Sequence, residues 1–388
     1  MLDRLGDMPW DILDNILGCL PIKDAVRTSV LSRKWRYTWV YLSNIVFYDR
    51  CKVSIFEWPV SIFGHWNELA KFVYNVLLAH RGRIDKFMLS TRLYCHDNDA
   101  DLWSAFLSRN GIKELSLNLC YMAKYELPSC LFSCQQLSCL CIAECSVVTP
   151  HTFNGFNNLV SLQLEVGRPY YGAFGSLHIY APNLQSLDMS GKFMTVYLEN
   201  SLHLTQLSFL MDPNWYMAHD KVPLLGFGFP VAFDNLKALE LSEVCFNELD
   251  EISVFLSLLE RSFSNLKSLC ISAFGPFNQD VYKLMAAQNQ LSYCFNQLQI
   301  VKINIALCHQ YVGAFQCWRS DLEFIKLVLA RSPVLEKMLV GYNYPEDCDL
   351  WFMRKLLSFE RASSQLVFKY SSSPNPELYT VSSFLYDW

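Results

Sequence analysis

The stretch Leu159–Leu164 reads LVSLQL: one apolar residue, two intervening positions, then apolar, polar, apolar. Its last residues alternate with period two, which suits a short strand with one buried and one solvated face. The pattern recurs as IDKFML at 84, IKELSL at 112, LSCLCI at 137, LQSLDM at 184 and LTQLSF at 204. It continues as LKALEL at 236, LKSLCI at 266, LQIVKI at 298 and LEKMLV at 335. Successive starts lie 20 to 37 residues apart. A single unit cannot close a core, so the units must stack.

The segments between these hexads carry helical periodicity. Asn67–His80 spaces Leu69, Phe72, Val73, Val76 and Leu77 on one helix face, and Glu248–Arg261 does so with Leu249, Ile252, Phe255, Leu256 and Leu259. Strands alternating with helices in one right-handed coil predict an α/β horseshoe with parallel strands and helices on the convex side. The hexad is the core of the leucine-rich repeat, here irregular in length.

On this reading the outward strand positions line the concave face. Glu114, Asn118, Gln163, Glu165, Asp188 and Glu240 are the candidate contacts for a bound protein, joined by Ser116, Ser161, Ser186, Ser190 and Ser242. Later strands offer Lys302 and Lys337 instead. A polar, mildly acidic groove of this kind suits a basic protein segment.

Outward from the repeats, the amino-terminal segment is a different object. Residues 7–20 predict a short helix capped by Asp7, with Pro9 in its first turn and an apolar stripe of Ile12, Leu13, Ile16, Leu17 and Leu20. Pro21 ends it, and Asp24 is placed to cap a second helical stretch. There a 100° step groups Leu31, Trp35 and Trp39 on one side and Val26, Val30 and Tyr37 on the other, with Ser32 a possible break. About forty residues rarely bury enough surface to stand alone, so this module needs a partner, another domain, or both.

Its basic residues Lys23, Arg27, Arg33, Lys34 and Arg36 raise the question of nucleic acid. Residues 1–50 hold seven Lys/Arg against six Asp/Glu, and the whole chain of 388 residues carries a net charge of −5 with pI near 5.9. Phosphate binding needs a cationic field with little competing acid, so no nucleic-acid partner is expected. Hydrophobic content of 52% against 18% charged excludes wholesale disorder.

No apolar run approaches the roughly 18 residues that cross a bilayer, and no membrane partner is expected. The acidic start (Asp3, Asp7, Asp11, Asp14) is unlike a signal peptide, and no Asn-x-Ser/Thr sequon occurs. The 15 cysteines then read as reduced thiols in cytoplasm or nucleus.

Chemistry-bearing motifs are sparse. Cys130, Cys134, Cys139, Cys141 and Cys145 cluster, yet no Cys-x-x-Cys pair occurs, so no metal is expected. Cys120 and Cys145 fall at the Asn/Cys position of the repeat, where a small polar side chain caps the turn. The histidines pair with no nucleophile motif, and GFGFP at 226–230 lacks the Gly-Lys-Ser/Thr of a phosphate cradle. No catalytic residue and no cofactor are expected.

Two stretches carry a family resemblance. Residues 3–39, DRLGDMPWDILDNILGCLPIKDAVRTSVLSRKWRYTW, resemble an F-box almost continuously, with Met8 in place of the usual Leu before Pro9 and Trp10 where a polar residue is usual. DLEFIKLVLARSPVLEKMLVGYN (321–343) followed by LLSFERASSQLVFKY (356–370) resembles the FBD region that follows the repeats in many plant F-box proteins. RASSQLVF is shorter than usual there, so the last strand is expected to be truncated or shifted in register.

The resemblance implies an F-box at 1–48, a linker helix and repeat entry at 49–83, and leucine-rich repeats at 84–294. An FBD region would follow at 295–375 and a tail at 376–388, whose Phe384 and Trp388 are placed to cap the last repeat. It implies a non-catalytic substrate receptor of an SCF-type cullin–RING ubiquitin ligase. Met8, Pro9, Ile12, Ile16, Leu17, Leu20, Leu31 and Trp35 would dock a Skp-type adaptor and, through it, a cullin, while the repeats hold a protein cargo. An adaptor-bound scaffold or a small-molecule sensor is the alternative.

Overall fold

The computed structural model describes residues 8–31, 33, 35–48, 61–94, 97–120, 125–143, 145–146, 153, 155–165, 174–190, 193–199, 201–210, 226–228, 233–245, 249–262, 264–274, 279–288, 294–306, 320–343 and 354–371. The chain divides into two compact units, residues 1–172 with 177–184, and residues 173–176 with 185–388.

The first unit opens with α1 (Trp10–Gly18) and α2 (Ile22–Arg27). Prolines stand at both N-cap positions. Pro9 O accepts from the N–H groups of Ile12 and Leu13, and Pro21 O from those of Asp24 and Ala25. Of the two aspartates expected as caps, Asp7 lies outside the described residues, and Asp24 sits inside the first turn of α2, 3.3 Å from Arg27. Proline supplies a fixed φ and loses only an N–H that a helix start leaves orphaned. The helix then breaks at Thr28, ahead of Ser32, into 3₁₀ turns at Thr28–Val30 and Trp35–Tyr41. Thr28 Oγ1 donates to Ala25 O at 2.7 Å, a local bond that competes with the helical ladder.

Next comes β1 (Asn44–Tyr48), which pairs in parallel with β2 (Lys86–Tyr94). Leu42, Ile45 and Phe47 are buried, so LSNIVF at 42–47 is a further hexad. The repeat sheet therefore starts well before residue 84. Between these strands runs α3 (Ser61–Ala79). Three more parallel strands follow, β3 (Glu114–Cys120), β4 (Cys139–Ala143) and β5 (Ser161–Glu165), with α4 (Asp97–Arg109) between β2 and β3.

The second unit repeats the scheme with β6 (Ser186–Ser190), β7 (Gln206–Leu210), β8 (Ala238–Cys245) and β9 (Ser268–Phe274). It continues through β10 (Ile300–Ala306), β11 (Lys337–Asn343) and β12 (Val367–Ser371). All neighbours are parallel. Helices α5 (Leu249–Ser262), α6 (Gln279–Gln288) and α7 (Ser320–Arg331) occupy the later crossovers. The fold class is thus the expected one: a helical amino-terminal module and parallel leucine-rich-repeat strands with interleaved helices. Of the two expectations for the final strand, the shifted register is not seen: β12 pairs with β11 without a shift, Lys337 opposite Val367 through Gly341 opposite Ser371, and its five residues make it shorter than the seven of β11.

Burial follows the hexad closely. The first, fourth and sixth residues of all ten hexads read from the sequence are less than 5% exposed. Among the helix positions Val73, Val76, Leu77, Ile252, Phe255, Leu256 and Leu259 are buried, Leu69 and Phe72 are half-buried, and Leu249 is exposed. Gly226–Gly228, in the GFGFP stretch, is a short strand paired with Thr195–Tyr197 rather than an anion-binding loop.

Two hydrogen-bond ladders fix the rungs. The carbonyl at the second hexad position accepts two N–H groups from the next rung. Ser43 O takes Asp85 and Lys86, Lys113 O takes Ser138 and Cys139, Thr205 O takes Lys237 and Ala238, and Gln299 O takes Glu336 and Lys337, all at 2.8–3.1 Å. An asparagine just before the hexad forms the other ladder: Asn158 Nδ2 donates to Gln135 O, Asn183 to Asn157 O, Asn235 to Leu202 O and Asn265 to Asp234 O, at 2.5–2.7 Å. The expected cysteine cap lay after the strand, and the side chains of Cys120 and Cys145 fall outside the described residues. Residues 381–388 do also.

Candidate functional site

In the amino-terminal module α1 has two stripes one residue out of phase, each repeating every four residues. Leu13 and Leu17 turn into the module and are buried, whereas Ile12 and Ile16 are 46% and 43% exposed. That is the (i, i+4) geometry of two adjacent stripes. Pro9 is exposed beside them, and Met8 and Leu20 are half-buried. Beyond α2, Val30 is 88% and Leu31 68% exposed. Trp10 and Tyr41 are partly exposed and meet edge to face, with ring centroids 6.2 Å apart.

The expected adaptor set is therefore split. Pro9, Ile12, Ile16 and Leu31 reach solvent, whereas Leu17 (1% exposed) and Trp35 (5%) fill the module's own core with Leu13, Ile22, Ala25 and Val40. Trp35 parts from Leu31 because it opens a 3₁₀ turn, whose 120° step does not continue the α-helical phase. Covering an exposed Ile or Leu is worth about 1.5–3 kcal/mol, so this face has a driving force to be covered.

The module is tied to the repeats beside it. Asp14 Oδ1 accepts the Ser43 N–H at 3.0 Å, and Oδ2 accepts the Ser43 hydroxyl at 2.7 Å. Arg81 N–H donates to Val40 O at 2.8 Å, and a His80 ring nitrogen lies 2.9 Å from Leu42 O. Burial holds the His80 imidazole below its ordinary pKa, against the backbone contacts at Leu42 and Gly82. A methyl group on Gly82 would come within 2.9 Å of Tyr41 O, so only glycine allows this approach.

The outward strand positions fall where the alternation puts them. In the first unit Lys86, Glu114, Cys139 and Ser161 form one row, with Lys86 Nζ 3.3 Å from Glu114 Oε2. Gln163 accepts a hydrogen bond from the Cys141 thiol at 3.2 Å. Asn118 and Glu165 share a third row across Ala143.

In the second unit Asp188, Ser208, Glu240, Cys270 and Lys302 stand in register on consecutive strands. Burial raises the Asp188 carboxyl, countered by its hydrogen bond with Ser208. Burial and the Asp188 charge together push Glu240 up to about 7, with Lys302 pulling it down. Burial, then Glu240, pushes the Cys270 thiol up to about 12. Asp188 and Glu240 were legible as outward residues. Their coupling through Ser208 to Cys270 and Lys302 was not, because it depends on strand register.

The cysteine cluster has other uses. Cys134 donates to Cys130 O at 3.7 Å, and Cys139 and Cys141 are outward strand residues. Burial raises the thiols of Cys130 and Cys139 and pushes Cys134 up to about 11. Among the described residues no helix is long and apolar enough to cross a membrane.

The F-box domain family matches residues 5–47. The chain is 34% identical to the F-box/FBD/LRR-repeat protein At1g13570 of Arabidopsis thaliana, over 94% of this chain and 98% of that one. This chain belongs to the F-box/FBD/LRR-repeat proteins. The F-box/LRR-repeat protein At3g59200 of the same plant is 35% identical over 34% of this chain and 24% of its own length. The putative F-box/FBD/LRR-repeat protein At4g00315 is 30% identical over 48% and 42%. The F-box match ends at residue 47, inside β1, so this F-box contributes a strand to the repeat sheet.

Proposed function

We propose that this F-box/FBD/LRR-repeat protein is the non-catalytic substrate receptor of an SCF-type ubiquitin ligase. Its F-box docks a Skp-type adaptor, which joins it to a cullin, and its repeats hold a protein cargo, in the cytoplasm or nucleus. The supporting observation is the exposed apolar set Pro9, Ile12, Ile16 and Leu31 on a module whose own core is already filled by Leu13, Leu17 and Trp35. Such a receptor raises the effective concentration of cargo lysines near a ubiquitin-loaded enzyme and makes no bond itself.

The test is affinity capture of purified Skp-type adaptor and cullin by the full chain. Ile12→Asp with Leu31→Asp places two charges on solvent-facing positions, so the fold is retained while the contact is lost. Capture should fall at least about tenfold. Unchanged capture would overturn the reading.

A further inference from the structure

We propose that the outward strand face of the second unit reads a bipolar stretch of polypeptide, in which a Lys or Arg meets Asp188 and Glu240 and an Asp or Glu about three residues away meets Lys302. This deepens the receptor reading and rests on it.

The parallel register places Asp188 on β6, Glu240 on β8, Lys302 on β10 and Lys369 on β12 in one row, with Lys337 of β11 in the neighbouring row. Charge is therefore segregated along this face. Both carboxylates precede all three ammonium groups.

Strands are about 4.8 Å apart, so Glu240 and Lys302, two strands apart, are separated by about 10 Å. A chain in the polyproline-II conformation rises about 3.1 Å per residue with three residues per turn, so roughly three residues cover that distance and bring both side chains to one face. Ser208 and Cys270, which alternate with the charged residues, are short and do not screen them from a chain laid across the strands.

Selectivity follows from the arrangement. A uniformly basic segment would meet Lys302, Lys337 and Lys369, and a uniformly acidic one would meet Asp188 and Glu240. Like-charge juxtaposition rejects both, which is how an interface excludes wrong partners. Asp188, Glu240 and Lys302 are half-buried, so these interactions act at a lower dielectric than fully exposed charges. Burial already holds both carboxyls above their ordinary pKa, and an approaching cation would relieve that.

The experiment uses the full chain and fluorescein-labelled peptides in one Gly/Ser frame, carrying Arg-Gly-Gly-Glu, Arg-Gly-Gly-Arg or Glu-Gly-Gly-Glu. Binding is read by fluorescence polarisation at about 150 mM salt, where distant charges are screened. The bipolar peptide should bind about fivefold tighter than either uniform one. Glu240→Gln and Lys302→Gln should each remove that preference, and the double swap Glu240→Lys with Lys302→Glu should keep it. Equal binding of the three peptides, an unchanged preference in Glu240→Gln, or no binding of any at about 1 mM overturns the inference. Adaptor capture is scored on the same samples. Capture without charge preference removes this inference alone, whereas charge preference without capture upholds it and removes the receptor reading.

Discussion

Asp14 and Ser43 are joined twice: the two carboxylate oxygens of one accept the amide and the hydroxyl of the other, at 3.0 and 2.7 Å, across 29 residues of sequence. Ser43 in turn passes its own carbonyl to Asp85 and Lys86 of the next rung. The first F-box helix is thereby bonded to the residue that starts the repeat ladder. Asp14→Ala removes two charge-assisted hydrogen bonds and should cost about 1–3 kcal/mol. The loss should appear as faster amide exchange over residues 10–45 with little change beyond residue 110. Uniform exchange in the variant would show that the two regions are not coupled through this pair.

The split of the α1 stripe predicts two distinct phenotypes. Leu17→Ala should cost about 2–5 kcal/mol and Trp35→Ala about 3–5 kcal/mol, because both leave cavities in a filled core. Ile12→Ala and Ile16→Ala should shift stability by no more than about 0.5 kcal/mol, while weakening adaptor capture. Urea denaturation beside a pull-down separates the two classes.

Gly155 has φ +93°, and a methyl group there would collide with the ring and carbonyl oxygen of Tyr180. The next residue, Phe156, donates its N–H to Tyr180 O at 2.9 Å, so the backbone cannot retreat without losing that bond. Gly155→Ala should destabilise the first unit by more than about 1 kcal/mol, measurable by denaturant midpoint. A neutral result would mean that Tyr180 moves freely.

Glu240 gives the chain a pH signature. Its carboxyl sits at about 7 in the folded chain against an ordinary 4.5, because of burial and then of Asp188. The native state therefore holds a proton that the unfolded state has released, and stability falls as pH rises between those values. The contribution is fully present below 4.5 and lost above 7. Asp188 is shifted in the same direction by burial. Glu240→Gln should gain about 1 kcal/mol at pH 8, with solvent screening of this half-buried group allowed for, and almost nothing at pH 4. Thermal unfolding of both proteins across that range is the check, and a parallel offset at every pH would refute it.

Much of this architecture was legible because its signal is local and repeated. Each hexad combines period-two alternation with a leading apolar residue, and all ten became strands with the forecast side buried. LSNIVF is harder to read because it lies at the end of the F-box, where the same residues serve two patterns. The asparagine ladder has its own sequence signal, since Asn158, Asn183, Asn235 and Asn265 each directly precede a hexad's leading leucine, whereas the cysteine position of the repeat lies after the strand. Leu17 and Trp35 fall on the buried side of the module for different reasons. Leu17 lies one turn from Leu13 and shares its buried side, which no helical wheel distinguishes from a docking stripe. Trp35 lies beyond a break in helical phase. The charged row of the second unit depends on strand register, a long-range property that a single sequence does not display.

The shared carbonyl at each rung has one more consequence. β6 and β7 begin 20 residues apart and β7 and β8 begin 32 apart, yet each pair meets in unshifted register through the residues that follow the leading leucine. Pitch is thus decoupled from the amount of chain between successive strands. Insertions and deletions in those excursions are silent to the strand ladder, so a lineage can remodel what the chain displays between its strands while the frame that carries it stays untouched.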